Sequence, residues 1–234
     1  MIRTAFLVCA AATLFAAPSL AQTALEQRCA TGAGEGAVAA CSDIIGIGTG
    51  GPEIAWAYFD RARAYFGLKL YASAIDDLRE DLKRKPDDAE ALENRGFAYL
   101  AIDDYGRAID DFGKVIDLRP ASANAFRERC FARAATGRHL DDALKDCNQA
   151  LKLGDRAALD ARCLIGYRVG QYAAAIEDCS AALAANPKLA SSLYLRALAK
   201  TKSGDAAGGE ADRTAALSLD PSVADTFANY GVRP

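Results

Sequence analysis

Six of the seven cysteines, the single histidine and three of the carboxylate doublets are the residues of this chain whose types could do chemistry. Cys29, Cys41, Cys130, Cys147, Cys163 and Cys179 could cross-link, bind a metal or act as nucleophiles. No four ligands of the Cys-x-x-Cys or His type cluster along the chain, which weakens the metal reading. His139 is the single histidine in 234 residues, so the usual general base and the usual zinc ligand are almost missing. The doublets Asp76-Asp77, Asp110-Asp111 and Asp141-Asp142 could serve as acid and base, but neighbours i and i+1 point apart on a helix. They also recur along the chain, whereas a catalytic centre needs one singular constellation. Gly46-Ile47-Gly48-Thr49-Gly50-Gly51 fits a dinucleotide-binding spacing, yet that spacing has meaning only between a strand and a helix of a parallel α/β unit. It reads as a flexible connector. No catalytic residue, metal or cofactor is therefore assigned, and hydrolase and metalloenzyme readings fall away.

The N-terminus has the three-part layout of a secretory signal peptide. Arg3 supplies the charge, Ala5 to Ala17 the apolar stretch, and Ser19 and Ala21 the small residues before a cut after Ala21. The apolar stretch is too short to span a bilayer, which takes about 20 residues, and Cys9 lacks the small residues that a lipid-attachment site places before its cysteine. The expectation is an exported protein, periplasmic or secreted, with no membrane insertion after removal of residues 1–21. Six cysteines then remain, and an even set in an exported chain suggests disulfides. A formal net charge of −3 and the lack of a basic run argue against nucleic acid, whose binding relies on clustered Lys and Arg.

The elements that must position these residues follow from a repeat. Prolines fall at 52, 86, 120, 187 and 221, at steps of 34 residues with one unit lacking its proline, and a fixed period of this size means a solenoid of stacked units. An arginine precedes a very small residue in Arg61-Ala62, Arg95-Gly96, Arg129-Cys130, Arg162-Cys163 and Arg196-Ala197. A small residue precedes an apolar one in Ala74-Ile75, Ala108-Ile109, Ala143-Leu144 and Ala175-Ile176. Ala108, Phe112 and Val115 fall on one helical face, and small residues at the crossing let two backbones approach. The pattern resembles the tetratricopeptide repeat family, whose unit is two antiparallel helices with a proline near the end. The resemblance implies an all-α, right-handed superhelical solenoid with units at 55–88, 89–122, 123–155, 156–189 and 190–221. The third carries an extra residue near His139. Residues 22–54 read as an N-terminal cap with one helix, 36–46, and a Gly-rich connector; residues 222–234 read as a C-terminal cap helix.

In such a hairpin, residues 16 or 17 apart meet across the pair. Arg61, Arg95, Arg129, Arg162 and Arg196 should then meet Asp77, Asp111, Asp146, Asp178 and Asp212 as structural ion pairs. The same rule sets Cys130 beside Cys147 and Cys163 beside Cys179, leaving Cys29 with Cys41; the alternative is that each cysteine is a small buried residue standing in for Ala62 or Gly96. The resemblance further implies protein or peptide binding in a groove lined by the first helices. Trp56, Phe59, Phe66, Phe97, Arg127, Phe131, Tyr167 and Tyr194 map there, with Phe97 and Phe131 turned away from the second helix of their own unit. The function expected is a non-catalytic interaction module in the cell envelope; the alternative is a structural subunit of an envelope assembly with no groove activity. Partner identity and oligomeric state are not written in these residues.

Overall fold

The computed structural model describes residues 20–48 and 52–233, and among these there are thirteen α-helices, one 3-10 turn at Pro52–Ile54, and no strand. Residues 1–19 and 49–51, which hold most of the signal-peptide reading and part of the Gly-rich connector, lie outside the described residues. Ten helices form five antiparallel pairs: α3 (Ala55–Gly67) with α4 (Tyr71–Arg84), α5 (Ala89–Ala101) with α6 (Tyr105–Leu118), α7 (Ala123–Thr136) with α8 (Leu140–Lys152), α9 (Ala158–Arg168) with α10 (Tyr172–Ala185), and α11 (Ala190–Lys202) with α12 (Ala206–Leu219). The chain is thus an all-α solenoid in which each pair packs on the next, since one pair alone cannot bury its apolar face.

Local chemistry sets the ends of these helices. Asp88, Asp104, Ser122 and Asp205 sit at N-caps, where their side-chain oxygens accept from free backbone N–H groups of the first turn. The turn inside each hairpin passes through a left-handed residue: Lys69, Asp103, Gly137, Gly170 and Gly204. The third turn needs a second one, His139 at φ 54°, which absorbs its extra residue.

The crossing point of each hairpin balances volume. Gly96 faces Phe112, whose ring would lie 2.8 Å from any added Cβ, and Phe112 is completely buried. At the same register the first unit pairs Ala62 with Leu78, and the third and fourth pair cysteine with cysteine. A small partner admits a large one, and two medium ones fill the same space.

The leading segment departs from the single cap helix expected for 22–54. It holds two helices, α1 (Leu20–Thr31) and α2 (Gly34–Ile47), bridged by Cys29 and Cys41 at a Cα separation of 4.8 Å. α1 has no apolar stripe, so periodicity passes over it; the cross-link, with Leu25 packed beside it, holds it in place. α2 stacks on α3 as a true second helix does: Ser42 Oγ accepts from Arg61 Nη1 at 2.9 Å, the contact that Ser180 makes with Arg196 at 3.1 Å. The pair is a shortened unit. Arg28-Cys29 repeats the arginine step, but Ala40 stands where a partner aspartate would be. At the other end α13 (Val223–Asn229) buries Val223 and Phe227 against the fifth unit.

Asp81 breaks the core pattern, because it takes the place held by Val115, Ala150, Ala182 and Ala216 in the other units. It is fully buried with no hydrogen-bond partner on either oxygen. Burial first, and then the Asp88 carboxylate, push its pKa from 3.8 up to about 6, against the pull of Lys85 and Arg84. A native pKa above the unfolded one means that the neutral form favours folding; that contribution is complete below pH 3.8 and is lost as pH rises through 6. Asp81→Ala should therefore stabilise the protein by about 1–2 kcal/mol at pH 7.5, a figure discounted for solvent screening. Thermal melts at two pH values test this, since the gain should shrink at pH 4.5 and a pH-independent difference would contradict it.

Candidate functional site

The framework behind the groove is a row of buried ion pairs. Each hairpin arginine grips its aspartate with two parallel bonds: Arg61 on Asp77 at 2.7 and 2.7 Å, Arg95 on Asp111 at 2.7 and 2.7 Å, Arg129 on Asp146 at 2.9 and 2.7 Å, Arg162 on Asp178 at 2.8 and 2.6 Å, and Arg196 on Asp212 at 2.7 and 2.7 Å. The doublets divide between inside and outside. Asp77 and Asp111 turn inward, while Asp76 pairs with Arg79 on the surface and Asp110 is exposed. Asp141 and Asp142 both lie in the first turn of α8, with Asp142 on Lys145, and the inward carboxylate of that unit is Asp146. Cys130 and Cys147, like Cys163 and Cys179, are bonded across their hairpins at Cα separations of 5.4 Å. Together these contacts lock each first helix to its second helix and fix the face the first helices present.

That face is less aromatic than the strip mapped from sequence. Tyr194 is only 2% exposed and stacks on Phe227 of α13 at 5.5 Å, so it belongs to the core. It lies there because α13 covers the last pair, which position counting along one unit cannot foresee. Phe97 does not turn away from its own second helix: its ring meets Phe112 edge-on at 5.5 Å, because Gly96 lets Phe112 slide beneath α5. Trp56 packs on the cluster around the Cys29–Cys41 bridge, and Phe59 on the core of the first two units. Phe66 keeps 37% of its surface at the edge of the array, against Tyr71. Tyr167 tilts against Tyr172 at 5.7 Å. Arg127 and Phe131 are the strip residues that line a cavity.

Two adjoining cavities open there. One, of about 370 Å³, lies among Arg127, Glu128, Phe131, Arg156, Ala157, Asp160, Ala161 and Leu189. The second, of about 400 Å³, shares Phe131, Asp160, Ala161 and Leu189 and continues past Leu164 and Leu195 to Phe227 and Tyr230 of the C-terminal segment. Arg127 is held in a polar network: it donates to Glu128 at 3.0 Å and to Asn124, lies 3.5 Å from Asp155, and Asn124 donates to Glu93 at 2.6 Å. Burial pushes the Glu128 carboxyl up, partly countered by Arg127. Asp160 accepts from Ser191 at 3.0 Å and from Ser192, and burial pushes its carboxyl up as well. The site therefore offers apolar walls with hydrogen-bonding groups at fixed places. Among the described residues no three His, Cys, Asp or Glu are grouped to hold a metal. Glu128 and Leu189 fall outside a count of groove positions, and their role depends on how neighbouring pairs stack.

The C-terminal segment crosses this face. Tyr230, just past α13, sets its ring 6.1 Å from both Tyr105 and Phe131, edge-on to each. Arg168 donates to the Ala135 and Tyr230 carbonyls, and Tyr167 donates to the Arg233 carbonyl at 3.0 Å. Residues of the last 11 positions thus reach the second, third and fourth units.

Comparison with known proteins agrees with this architecture. Residues 89–122, the second pair, match the tetratricopeptide repeat model. No curated protein sequence matches the chain. Among solved structures it is similar to MamA residues 41 to the end from Desulfovibrio magneticus RS-1, at 20% identity and a TM-score of 0.62, covering 75% of this chain and 98% of that one. It is similar to PilW, a widely conserved type IV pilus biogenesis factor, at 17% and 0.63 over 75% of this chain and 87% of that one. YrrB, a repeat protein with an unusual peptide-binding site, is similar at 15% and 0.58 over 82% and 98%. At these identities the likeness is one of fold. Among the described residues no helix is long and apolar enough to cross a membrane.

Proposed function

We propose that this solenoid, whose second helix pair matches the tetratricopeptide repeat model, is a non-catalytic interaction module of the cell envelope whose first-helix face takes an extended segment of a partner protein. The observation that carries this reading is the pair of joined cavities between α7, α9 and α11, where apolar walls meet the Arg127, Glu128 and Asp160 polar groups. Such a mixture of apolar surface with a few placed polar groups is what a specific binding site needs. Export is supported by the leader pattern and by the three cysteine pairs at bonding distance.

One observation favours the structural-subunit alternative: several rings of the strip are spent on packing between units. The two readings part on Arg127→Ala and Phe131→Ala. A partner captured from an envelope extract by the wild type should bind each variant at least ten-fold more weakly, the loss of a hot-spot side chain of 2 kcal/mol or so. The melting temperature of Arg127→Ala should fall somewhat, because Glu128 and Asp155 lose a cation, so affinities are compared at a temperature where both variants are fully folded. Undiminished affinity in both variants would leave the structural reading ahead.

A further inference from the structure

The C-terminal segment, α13 and the residues after it, does two things. Phe227 and Val232, 4% and 3% exposed, close the end of the core, and Gly231 at φ 76° ends the helix so that Val232 N–H returns to the Phe227 carbonyl at 2.8 Å. Tyr230 touches that closure, its ring edge-on to Phe227 at 5.6 Å. The same ring also reaches past the cap into a slot bounded by Tyr105 and Phe131, residues of the second and third units. The main chain beside it is then held from the groove side, the Tyr230 carbonyl by Arg168 and the Arg233 carbonyl by Tyr167. A ring in an aromatic slot with main-chain carbonyls taken by side chains is how an extended peptide would be gripped. We infer that residues 230–233 are a tethered ligand of the array's own groove, and that the partner segment displacing them carries a tyrosine-like ring with an acidic residue close after it. This rests on the groove reading above and specifies what enters the groove.

The acidic requirement comes from Arg168. Its Nη2 meets only carbonyls, its Nε is buried without a hydrogen-bond partner, and among the described residues it has no carboxylate at ion-pair distance. Every hairpin arginine in the array has one. The tail offers Arg168 one carbonyl dipole, that of Tyr230, beside the Ala135 carbonyl of α7, where a partner could offer a charge, and charge-assisted bonds are about twice as strong as neutral ones. A tether also sets the threshold for entry. A segment joined by a short linker competes at an effective concentration on the order of millimolar, so a partner sees only the fraction of molecules whose slot is vacant.

The probe is a fluorescein-labelled, C-terminally amidated peptide of residues 222–233, titrated against the full chain. Tyr230→Ala should bind it at least ten-fold more tightly than the wild type, because the slot is then free. A peptide carrying Arg233→Glu should bind Tyr230→Ala several-fold more tightly again, and that gain should vanish when Arg168→Gln is added. Equal binding by wild type and Tyr230→Ala, or no binding by a Tyr230→Ala protein that keeps the wild-type melt, overturns the inference. Should Tyr230→Ala not fold, Tyr230→Leu keeps apolar volume without the ring and is held to the same ten-fold criterion. Failure here with retained Arg127-dependent capture of a partner refutes the tethered ligand alone; loss of that dependence refutes the groove reading itself.

Discussion

Removing both hairpin cross-links should cost the protein about 6 kcal/mol, close to the whole stability of many domains. Cys130–Cys147 and Cys163–Cys179 close loops of 17 and 16 residues, and chain entropy gives about 3 kcal/mol for each loop of this size. A packing loss adds to this when alanine replaces all four, because the sister hairpins fill the same space with Ala62 and Leu78 or with Gly96 and Phe112. Copying the first unit separates the two contributions. Cys130→Ala with Cys147→Leu should lose the cross-link contribution but keep most of the packing, and so be more stable than Cys130→Ala with Cys147→Ala. Denaturant titrations of the two doubles beside the wild type measure both. If the Cys130→Ala, Cys147→Leu double unfolds at the wild-type midpoint, these cysteines are mere space-fillers. In the native array the cross-links hold α7 and α9, the helices that line both cavities, against their second helices.

Whatever recurs in every unit was legible in the sequence. The period, the small residue at each crossing and the spacing of arginine from aspartate are readable because five copies agree, and they fix the helix pairs and the framework. The features that occur once were harder to see. α1 carries no apolar stripe, and Arg28-Cys29 is a signal only to a reader who sets it beside Arg129-Cys130 and Arg162-Cys163. Tyr194 and Phe97 occupy groove positions by count, but Tyr194 is buried by a helix outside its own unit and Phe97 is partly covered by a ring that slides under a glycine. Tyr230 and Arg168 are far apart in the chain, and only the return of the last residues across the face brings them together. Periodicity describes a unit; it does not describe what the ends of the array do to the surface between them.

Arg95→Ala should destabilise by about 3–5 kcal/mol, the cost of breaking a buried ion pair by deleting one side. Asp111 is 3% exposed, and among the described residues its carboxylate has bonds from Arg95 alone, so the truncation strands a buried charge. Asp111→Ala should cost less. The Arg95 side chain keeps 16% of its surface, lies 5.9 Å from the Tyr99 ring, and can carry its charge to water along a long apolar stem. The double replacement should recover part of the Arg95→Ala loss, and a thermodynamic cycle with no coupling would refute the pair. Sister units set a ranking. Asp146 also accepts from Arg133 at 2.5 Å and Asp212 from Lys200 at 2.9 Å, so Arg129→Ala and Arg196→Ala each leave a second cation in place and should cost less than Arg95→Ala. Acid supplies a further check on the cause. A stranded buried carboxylate has its pKa raised, so the neutral form carries the remaining stability, and the deficit of Arg95→Ala should narrow as pH falls from 7 toward 4. A deficit that stays constant over that range would place the loss in packing of the arginine stem and not in the stranded charge.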